Sequence, residues 1–249
     1  MQNASRKIFL KQFVIGATSV ELILAACKKQ AAAATTTTSS TGSASSTGTC
    51  TVSPTETEGP FPTKLPASYV RSDIRADRTG VGMIMNIAIK NKNNNCAALA
   101  GALVDVWHCD KDGNYSEYGG TGMQSTDYTA VHFLRGRQVT DANGMITFTS
   151  IFPGWYTGRA THIHVHIYNA AGTSLLVTQI AFPEGNASAV ATVNGSGGAA
   201  FGYSKGMSGY TYNASDNIFS DDTNGIELSN VTGTLSSGYT LTHSIAVSA

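Results

Sequence analysis

The chain has 249 residues, of which 41% are hydrophobic and 13% are charged, so it can bury one substantial core. Lysine plus arginine number 16, as do aspartate plus glutamate, which leaves no basic field to attract nucleic acid. These values predict a single folded domain and exclude nucleic acid as an expected partner.

An export signal is predicted for residues 1–27. A basic segment precedes a mostly apolar run, residues 13–26, that ends at Cys27 and is too short for a good membrane span. Residues 24–27, Leu-Ala-Ala-Cys, resemble a bacterial lipobox, whose cysteine is lipidated and becomes the first residue of the mature protein. The alternative is an ordinary signal peptide with a chance cysteine. We expect a protein exported to the bacterial cell envelope, periplasmic or surface, whose only membrane attachment is a lipid on Cys27.

A low-complexity tether is predicted for residues 28–49, before the folded domain of residues 50–249. The tether is almost wholly alanine, threonine, serine and glycine, which cannot bury enough apolar surface to become ordered. If Cys27 is lipidated, three cysteines remain, and an oxidising compartment permits one disulfide. Cys50 and Cys96 are the expected pair. The alternative is that these two and Cys109 are buried residues or free thiols.

Short β-type segments, separated by turn signals, fill the chain beyond residue 50. The clearest predicted strands are 83–90, 103–108, 146–151, 162–167, 175–182 and 239–247. Asn143-Gly144 predicts a tight hairpin turn, because this pair adopts positive φ angles readily. Residues 195–222 are predicted to form a long surface excursion. The fold class predicted is all-β: an antiparallel β-sandwich, transthyretin-like or immunoglobulin-like, with long loops.

Two histidines in one predicted strand are the sharpest local signal. Side chains alternate along a strand, so His162 and His164 project from one face about 7 Å apart and can converge on a metal. Histidines satisfied by hydrogen bonds are the alternative. His166 continues the same face and would be the third ligand of a zinc-like site, but its position farther along the strand favours a packing role.

Several motifs, in order along the chain, resemble the intradiol ring-cleavage dioxygenase family. Taken alone, a tyrosine at a strand end is more often an amphipathic residue at the rim of the sheet than a metal ligand. Together the motifs span roughly residues 50–219 and are most similar to the catalytic core of the protocatechuate-type enzymes. They are Thr57-Glu58-Gly59-Pro60-Phe61, the segments 104–116 and 153–164, Phe133-Leu134-Arg135-Gly136, and 178–183.

The resemblance implies a ferric ion, Fe(3+), held by two tyrosinates and two histidines. By matching positions these ligands are Tyr115, Tyr156, His162 and His164. The donor set suits this ion, because phenolate is a hard anionic oxygen ligand. A free tyrosine has a pKa of about 10, so two tyrosines ionise near neutrality only beside a bound cation.

The resemblance also implies the reaction: O2 and a catecholic substrate, cleaved between the two hydroxyl-bearing carbons to a muconate-type diacid. Tyr156 matches the tyrosinate that the substrate displaces. Arg159 matches an arginine that stabilises negative charge on the substrate, and Gln179 a polar residue near the same ring. The substrate-binding segment implied is Gly59, Pro60 and Phe61.

Two other functions remain open at this stage. One is a membrane-tethered β-sandwich that binds a ligand through a vestigial site, because fold alone does not establish activity. The other is a zinc or copper site built from His162, His164 and His166. The sequence leaves a homo-oligomer open.

Overall fold

The computed structural model describes residues 49–249. The predicted export signal, the lipobox cysteine Cys27 and nearly all of the tether lie outside the described residues. Within them the chain forms two β-sheets with few helical turns, which confirms the predicted all-β sandwich. The strands are β1 (Gly82–Asn91), β2 (Ala97–Ala98), β3 (Leu103–Trp107), β4 (Arg135–Val139), β5 (Met145–Ile151), β6 (His162–Tyr168), β7 (Ser174–Ala181), β8 (Asn230–Thr234) and β9 (Gly238–Val247).

One α-helix and several short 3-10 turns connect these strands. The helix α1 spans Ala189–Val193, and Ser188 caps it by accepting a hydrogen bond from the backbone N–H of Ala191. The 3-10 turns are Pro66–Ser68, Lys92–Asn94, Ser196–Phe201, Asn213–Ser215 and Phe219–Asp221. Within residues 49–249 no helix has the length and apolar character needed to cross a membrane.

The two sheets have different strand orders. One runs β2-β1-β9-β8, with β5 also paired to β1, and the other runs β4-β3-β6-β7. The strands named above pair antiparallel, as predicted, except β1 with β9, which pair in parallel. Parallel neighbours need a long connection between them, and here that connection contains the whole second sheet.

The turn at Asn143-Gly144 forms, but it does not join paired strands. Gly144 has φ +71°, and a Cβ there would lie 2.5 Å from the carbonyl oxygen of Ile89, so glycine is required. The turn leads from β4 in one sheet to β5 in the other. The predicted hairpin is therefore wrong, because the turn reverses the chain locally while β5 pairs with β1 along its length.

Residues 195–222 do not form a simple surface excursion. Tyr203, Tyr210, Asp216 and Phe219 within it are buried, so this C-terminal segment packs onto the sandwich. Strands β2, β4 and β8 and the helix α1 were not predicted either. β4, for example, has the sequence Arg-Gly-Arg-Gln-Val, in which no apolar alternation marks a strand.

The alternation along β6 decides which of its side chains face the core. Ile163, Val165 and Ile167 are 0% exposed and belong to the main hydrophobic cluster between the sheets. Their neighbours His162 and His164 therefore lie on the opposite face of the same strand. That outer face is covered by the loops that carry the predicted functional residues.

Two cysteines fasten the start of the folded domain. Cys50 is joined to Cys96 by a disulfide, the pairing expected from the sequence, and this links the first described residues to the turn that follows β1. Cys109 is a buried free thiol. Burial is the main reason that its pKa lies far above the ordinary value.

Glu227 makes the stability of the fold depend on pH. The residue is 1% exposed, and neither carboxylate oxygen has a hydrogen-bond partner within the described residues. Burial first, and then repulsion from neighbouring carboxylates, raise the pKa of Glu227 to about 8. Those carboxylates belong to Glu56, Asp222, Asp221 and Asp216. The folded chain thus keeps a proton that the unfolded chain releases above pH 4.5.

Because the folded pKa is raised, the free energy of unfolding decreases as the pH rises from 4.5 to about 8. We expect Glu227→Gln to raise the Tm above that of the wild type at the upper end of this range, since glutamine cannot ionise. The difference should close as the pH approaches 4.5. Thermal unfolding of both proteins across the range checks this. A difference in Tm that does not change with pH would contradict it.

Candidate metal centre

Three buried side-chain atoms converge on the outer face of β6. The Nε2 atoms of His162 and His164 lie 3.1 Å apart, and the hydroxyl oxygen of Tyr115 lies 3.2 Å from His162 Nε2. The three residues are between 0% and 2% exposed. A strand places its alternate side chains on one face, but the close approach of the two rings comes from the packing around them.

His162 has a fixed tautomer. Its Nδ1–H donates a hydrogen bond of 2.6 Å to the carbonyl oxygen of Ala160, which leaves a lone pair on Nε2. Burial, and then the positive charge of Arg159, lower the pKa of His162 to about 3. Burial likewise holds the pKa of His164 far below its ordinary value. Both imidazoles are therefore neutral at physiological pH, which is the form that binds a metal ion.

The ring of His164 is packed against Trp107 and Gly59. The ring of Trp107, its cross-strand partner on β3, stacks on it with a centroid distance of 4.9 Å and an interplanar angle of 1°. On another side lies Gly59, whose φ is +66° and where a Cβ would come within 3.0 Å of His164 Cε1. A side chain at residue 59 would therefore push on the imidazole and strain the backbone.

Hydrogen bonds hold the backbone of Tyr115, and stacking holds its ring. Gln124 accepts a hydrogen bond from its backbone N–H (2.6 Å) and donates one to its carbonyl oxygen (2.8 Å). The ring of Phe61 stacks on that of Tyr115 with a centroid distance of 4.7 Å. These contacts hold the phenol against His162. Phe61 is itself only 5% exposed, so the side chain predicted to bind substrate packs mainly on Tyr115.

Tyr156 is the more accessible of the two tyrosines. Its ring lies 5.6 Å from that of His162 and 5.7 Å from that of Tyr115, measured between centroids. Its hydroxyl oxygen is 3.4 Å from Nη1 of Arg159. The residue is half-buried and borders an open depression of about 350 Å³. Tyr156 therefore lies beside the rings of His162 and Tyr115 and is partly open to solvent.

Arg159 is buried within a network of polar contacts. Its Nε donates to Asp216 Oδ2 at 2.9 Å, and its Nη2 donates to Gln179 Oε1 at 2.7 Å. Gln179 in turn donates from Nε2 to the carbonyl oxygen of Thr57 at 3.0 Å. The arginine and glutamine predicted from the sequence thus lie together, and they connect β6 and β7 with the loop that contains Gly59.

A cation fits the chemistry of this cluster. Ligands about 2.1 Å from a common ion and at right angles to each other lie about 3 Å apart. His162 Nε2 lies at this spacing from both His164 Nε2 and the Tyr115 hydroxyl oxygen. Burial raises the pKa of Tyr115 and also that of Tyr156. Neither phenol ionises without a compensating positive charge, and a bound cation supplies one. Two phenolates and two imidazoles are a donor set for a hard ion such as iron(III).

His166 does not extend the cluster. Its Nδ1 lies 3.0 Å from a carboxylate oxygen of Glu58, and its Nε2 lies 2.8 Å from Ser174 Oγ. Its ring also stacks on Tyr168. Within residues 49–249, no three side chains of the types His, Cys, Asp and Glu are arranged to hold a metal ion. Next to His162 and His164, the side chains that offer oxygen atoms are those of Tyr115 and Tyr156.

Three residues of the site were missed in the sequence. Gln124 orients Tyr115, Asp216 pairs with Arg159, and the ring of Phe219 lies 6.4 Å from that of His162. Asp216 and Phe219 belong to the segment that was predicted to be a surface excursion. Its apolar residues at Tyr210, Ile218 and Phe219 are the signal that it returns to the core.

A family sequence profile and one curated protein relate the chain to known enzymes. A profile described as Dioxygenase matches residues 58–194, which is just over half of the chain. The chlorocatechol 1,2-dioxygenase of Rhodococcus opacus is 31% identical over 128 residues, covering 44% of this chain and 46% of that protein. The chain thus matches about half the length of this relative.

Solved structures show the same architecture. An intradiol ring-cleavage dioxygenase from Tetranychus urticae is 29% identical, with a TM-score of 0.67 over 80% of this chain and 95% of that one. The dioxygenase domain of a carbohydrate-binding fusion protein from Streptomyces sp. SirexAA-E is 24% identical, with a TM-score of 0.55, and shows a shared fold. It covers 79% of this chain and 97% of that domain.

Proposed function

Because the chain belongs to the intradiol ring-cleavage dioxygenase family, we propose that it cleaves a catechol between its two hydroxyl-bearing carbons. The product would be a muconate-type diacid that contains both atoms of O2, so no external reductant is needed. The observation that carries this proposal is the convergence of Tyr115, His162 and His164 at spacings near 3 Å. The proposed cofactor is one Fe(3+), with Tyr156 as the fourth protein ligand.

Bound there, iron(III) would withdraw electron density from a catecholate and so prepare its ring for reaction with O2. The protein's own task is to hold the ring and the charges around it. Tyr115 and the two histidines are fixed by packing and hydrogen bonds, as expected for ligands that stay in place. The backbone of Gly59 lies beside His164, where the segment of Gly59, Pro60 and Phe61 is proposed to form a wall of the substrate site.

Tyr156 is proposed to be the ligand that leaves when a catechol binds. Its oxygen would accept a proton from a substrate hydroxyl as it swings outwards. Arg159 Nη1 lies 3.4 Å from this oxygen and so contacts it before that movement. Tyr115, which is 0% exposed and stacked on Phe61, has no comparable freedom.

Arg159 is proposed to stabilise the negative charge that develops on the substrate. Its Nε and Nη2 are already bonded within the protein, whereas among residues 49–249 Nη1 has only the long contact with Tyr156. A fixed cation in a buried site needs little reorganisation during the reaction, which makes it effective. Gln179 contributes by holding the guanidinium rather than by direct contact with the reacting atoms.

The visible spectrum and iron content of the purified protein test the proposal. Ferric tyrosinate gives a strong visible band, and adding a catechol should shift it. In Tyr156→Phe the resting band should change and the shift caused by catechol should shrink, because the leaving oxygen is gone. Oxygen uptake with a muconate-type diacid supports the proposed cleavage. A muconic semialdehyde would mean cleavage outside the diol. A protein that contains no iron and takes up no oxygen with a catechol would instead support the alternative of a ligand-binding β-sandwich.

We also propose that the catalytic domain, residues 50–249, is exported and held in the cell envelope by a lipid on Cys27. The support is the lipobox-like sequence at residues 24–27 and the low-complexity tether that follows it. Cys27→Ser is expected to release the protein to the soluble fraction with its iron content and activity unchanged. Labelling with a lipid precursor checks this. A wild type that takes up no label and stays soluble would contradict the lipobox interpretation.

A further inference from the structure

Asp216 lies at the centre of the contacts around Arg159. It is 0% exposed, and its Oδ2 accepts hydrogen bonds from Arg159 Nε (2.9 Å) and from the backbone N–H of Ala160 (2.7 Å). Its Oδ1 accepts from the backbone N–H groups of Ile218 (2.8 Å) and Phe219 (3.4 Å). One carboxylate therefore joins the entrance of β6 to the C-terminal segment, 57 residues away in sequence.

We infer that Asp216 is a positioning residue for the proposed ring cleavage, which fixes the direction in which Arg159 presents its guanidinium. The inference rests on the proposed function. A guanidinium is planar, so two anchored nitrogens determine where the third points. Asp216 holds Nε and Gln179 holds Nη2. The remaining nitrogen, Nη1, is thereby directed towards Tyr156 and the cluster of ligands.

Asp216 also acts on the surroundings of His162. Ala160, whose N–H it binds, accepts the hydrogen bond from His162 Nδ1 through its carbonyl oxygen. Phe219, whose N–H lies at Oδ1, packs with its ring centroid 6.4 Å from that of His162 and 5.7 Å from Arg159 Cζ. The same carboxylate thus supports a charged group and one wall of the site.

The ion pair of Asp216 and Arg159 remains charged although it is buried. Burial alone would raise the pKa of Asp216, but hydrogen bonds from Arg159 and Ala160 hold it below its ordinary value. Asparagine at this position keeps the shape but loses the charge, and its NH2 group would oppose one of the backbone N–H groups. Some loss of stability is therefore expected with Asp216→Asn, and the experiment must separate it from an effect on turnover.

Asp222 offers a matched control in the same segment. Its two carboxylate oxygens accept hydrogen bonds of 2.8 Å from the backbone N–H groups of Ile226 and Glu227. It therefore stabilises a loop as Asp216 does, but its hydrogen bonds go to the loop rather than to Arg159. Asp222→Asn is expected to leave kcat unchanged, and its Tm measures the effect of altering a half-buried loop carboxylate that does not contact Arg159.

The test is a double-mutant cycle on the iron-loaded protein with catechol as substrate: wild type, Asp216→Asn, Arg159→Ala and the double variant. We expect Asp216→Asn to lower kcat by about 10- to 100-fold, as outer-shell partners typically do, with little change in KM or iron content. In the Arg159→Ala background the same substitution should change kcat by less than threefold, since Asp216 acts chiefly through Arg159 and its contacts with Ala160 and Phe219 account for the remainder. Thermal unfolding of the four proteins without metal gives a second readout of the coupling.

Two results would overturn the inference while leaving the proposed function intact. One is a wild type that cleaves catechol and an Asp216→Asn variant with the same kcat. The other is an equal loss of kcat in both backgrounds, which would mean that Asp216 acts only on the general stability of the site. A wild type with bound iron that turns over no catechol would overturn both the proposed function and the inference.

Discussion

At the proposed iron site, His162→Gln and His164→Gln are each expected to abolish iron binding, and ring cleavage with it, whereas His166→Gln retains both. Loss of an outer-shell partner alone costs about 10- to 100-fold in metal affinity, so removal of a ligand should cost more. His162 and His164 present neutral Nε2 atoms to each other at 3.1 Å. Both nitrogens of His166 are instead engaged by Glu58 and Ser174. Metal analysis of the three purified variants decides.

His166→Gln is the matched control in this comparison. It lies on the same strand and the same face, and it makes the same change of side chain, so a general effect of substitution on β6 would appear in it too. Its stability should be close to that of the wild type, because its contact with Glu58 is solvent-accessible and such pairs contribute about 1 kcal/mol or less. Equal loss of iron in all three variants would favour a site built from three histidines.

The shared face of His162 and His164 could be predicted from the sequence, because the geometry of a strand is local. Alternation puts His162 and His164 on one face whatever surrounds them. It does not determine that the rings converge, which depends on the stacking of Trp107 and on the close approach of Gly59. Those contacts come from β3 and from a loop whose positions no local pattern specifies.

The two tyrosines were proposed as ligands by resemblance rather than by geometry. Nothing in the sequence around Tyr115 predicts that Gln124, nine residues later, holds its backbone on both sides. Nor does a local pattern show that Tyr156 lies beside Arg159 Nη1. A match to a family motif identifies these residues, but it does not explain how packing places them.

Long-range pairings account for most of what the sequence did not predict. β9 has the alternation of an ordinary strand, and its parallel partner β1 is about 150 residues earlier in the chain. Asp216 was missed for the same reason, because a single aspartate in a glycine-rich and serine-rich segment is more often exposed than buried. Burial of the whole segment is what converts this residue into a partner of Arg159.

Arg159→Ala is expected to lower kcat by about 10² to 10³ while iron and the visible band are retained, since loss of one group that stabilises a developing anion typically has this effect. The substitution also leaves Asp216 buried at 0% exposure without its cation, so the Tm should fall. Stability and catalysis can be separated here. Adding Asp216→Asn removes the unpaired charge, and we expect it to recover part of the Tm but none of the lost kcat. Recovery of both together would show that Arg159 supports the fold of the site rather than the reaction.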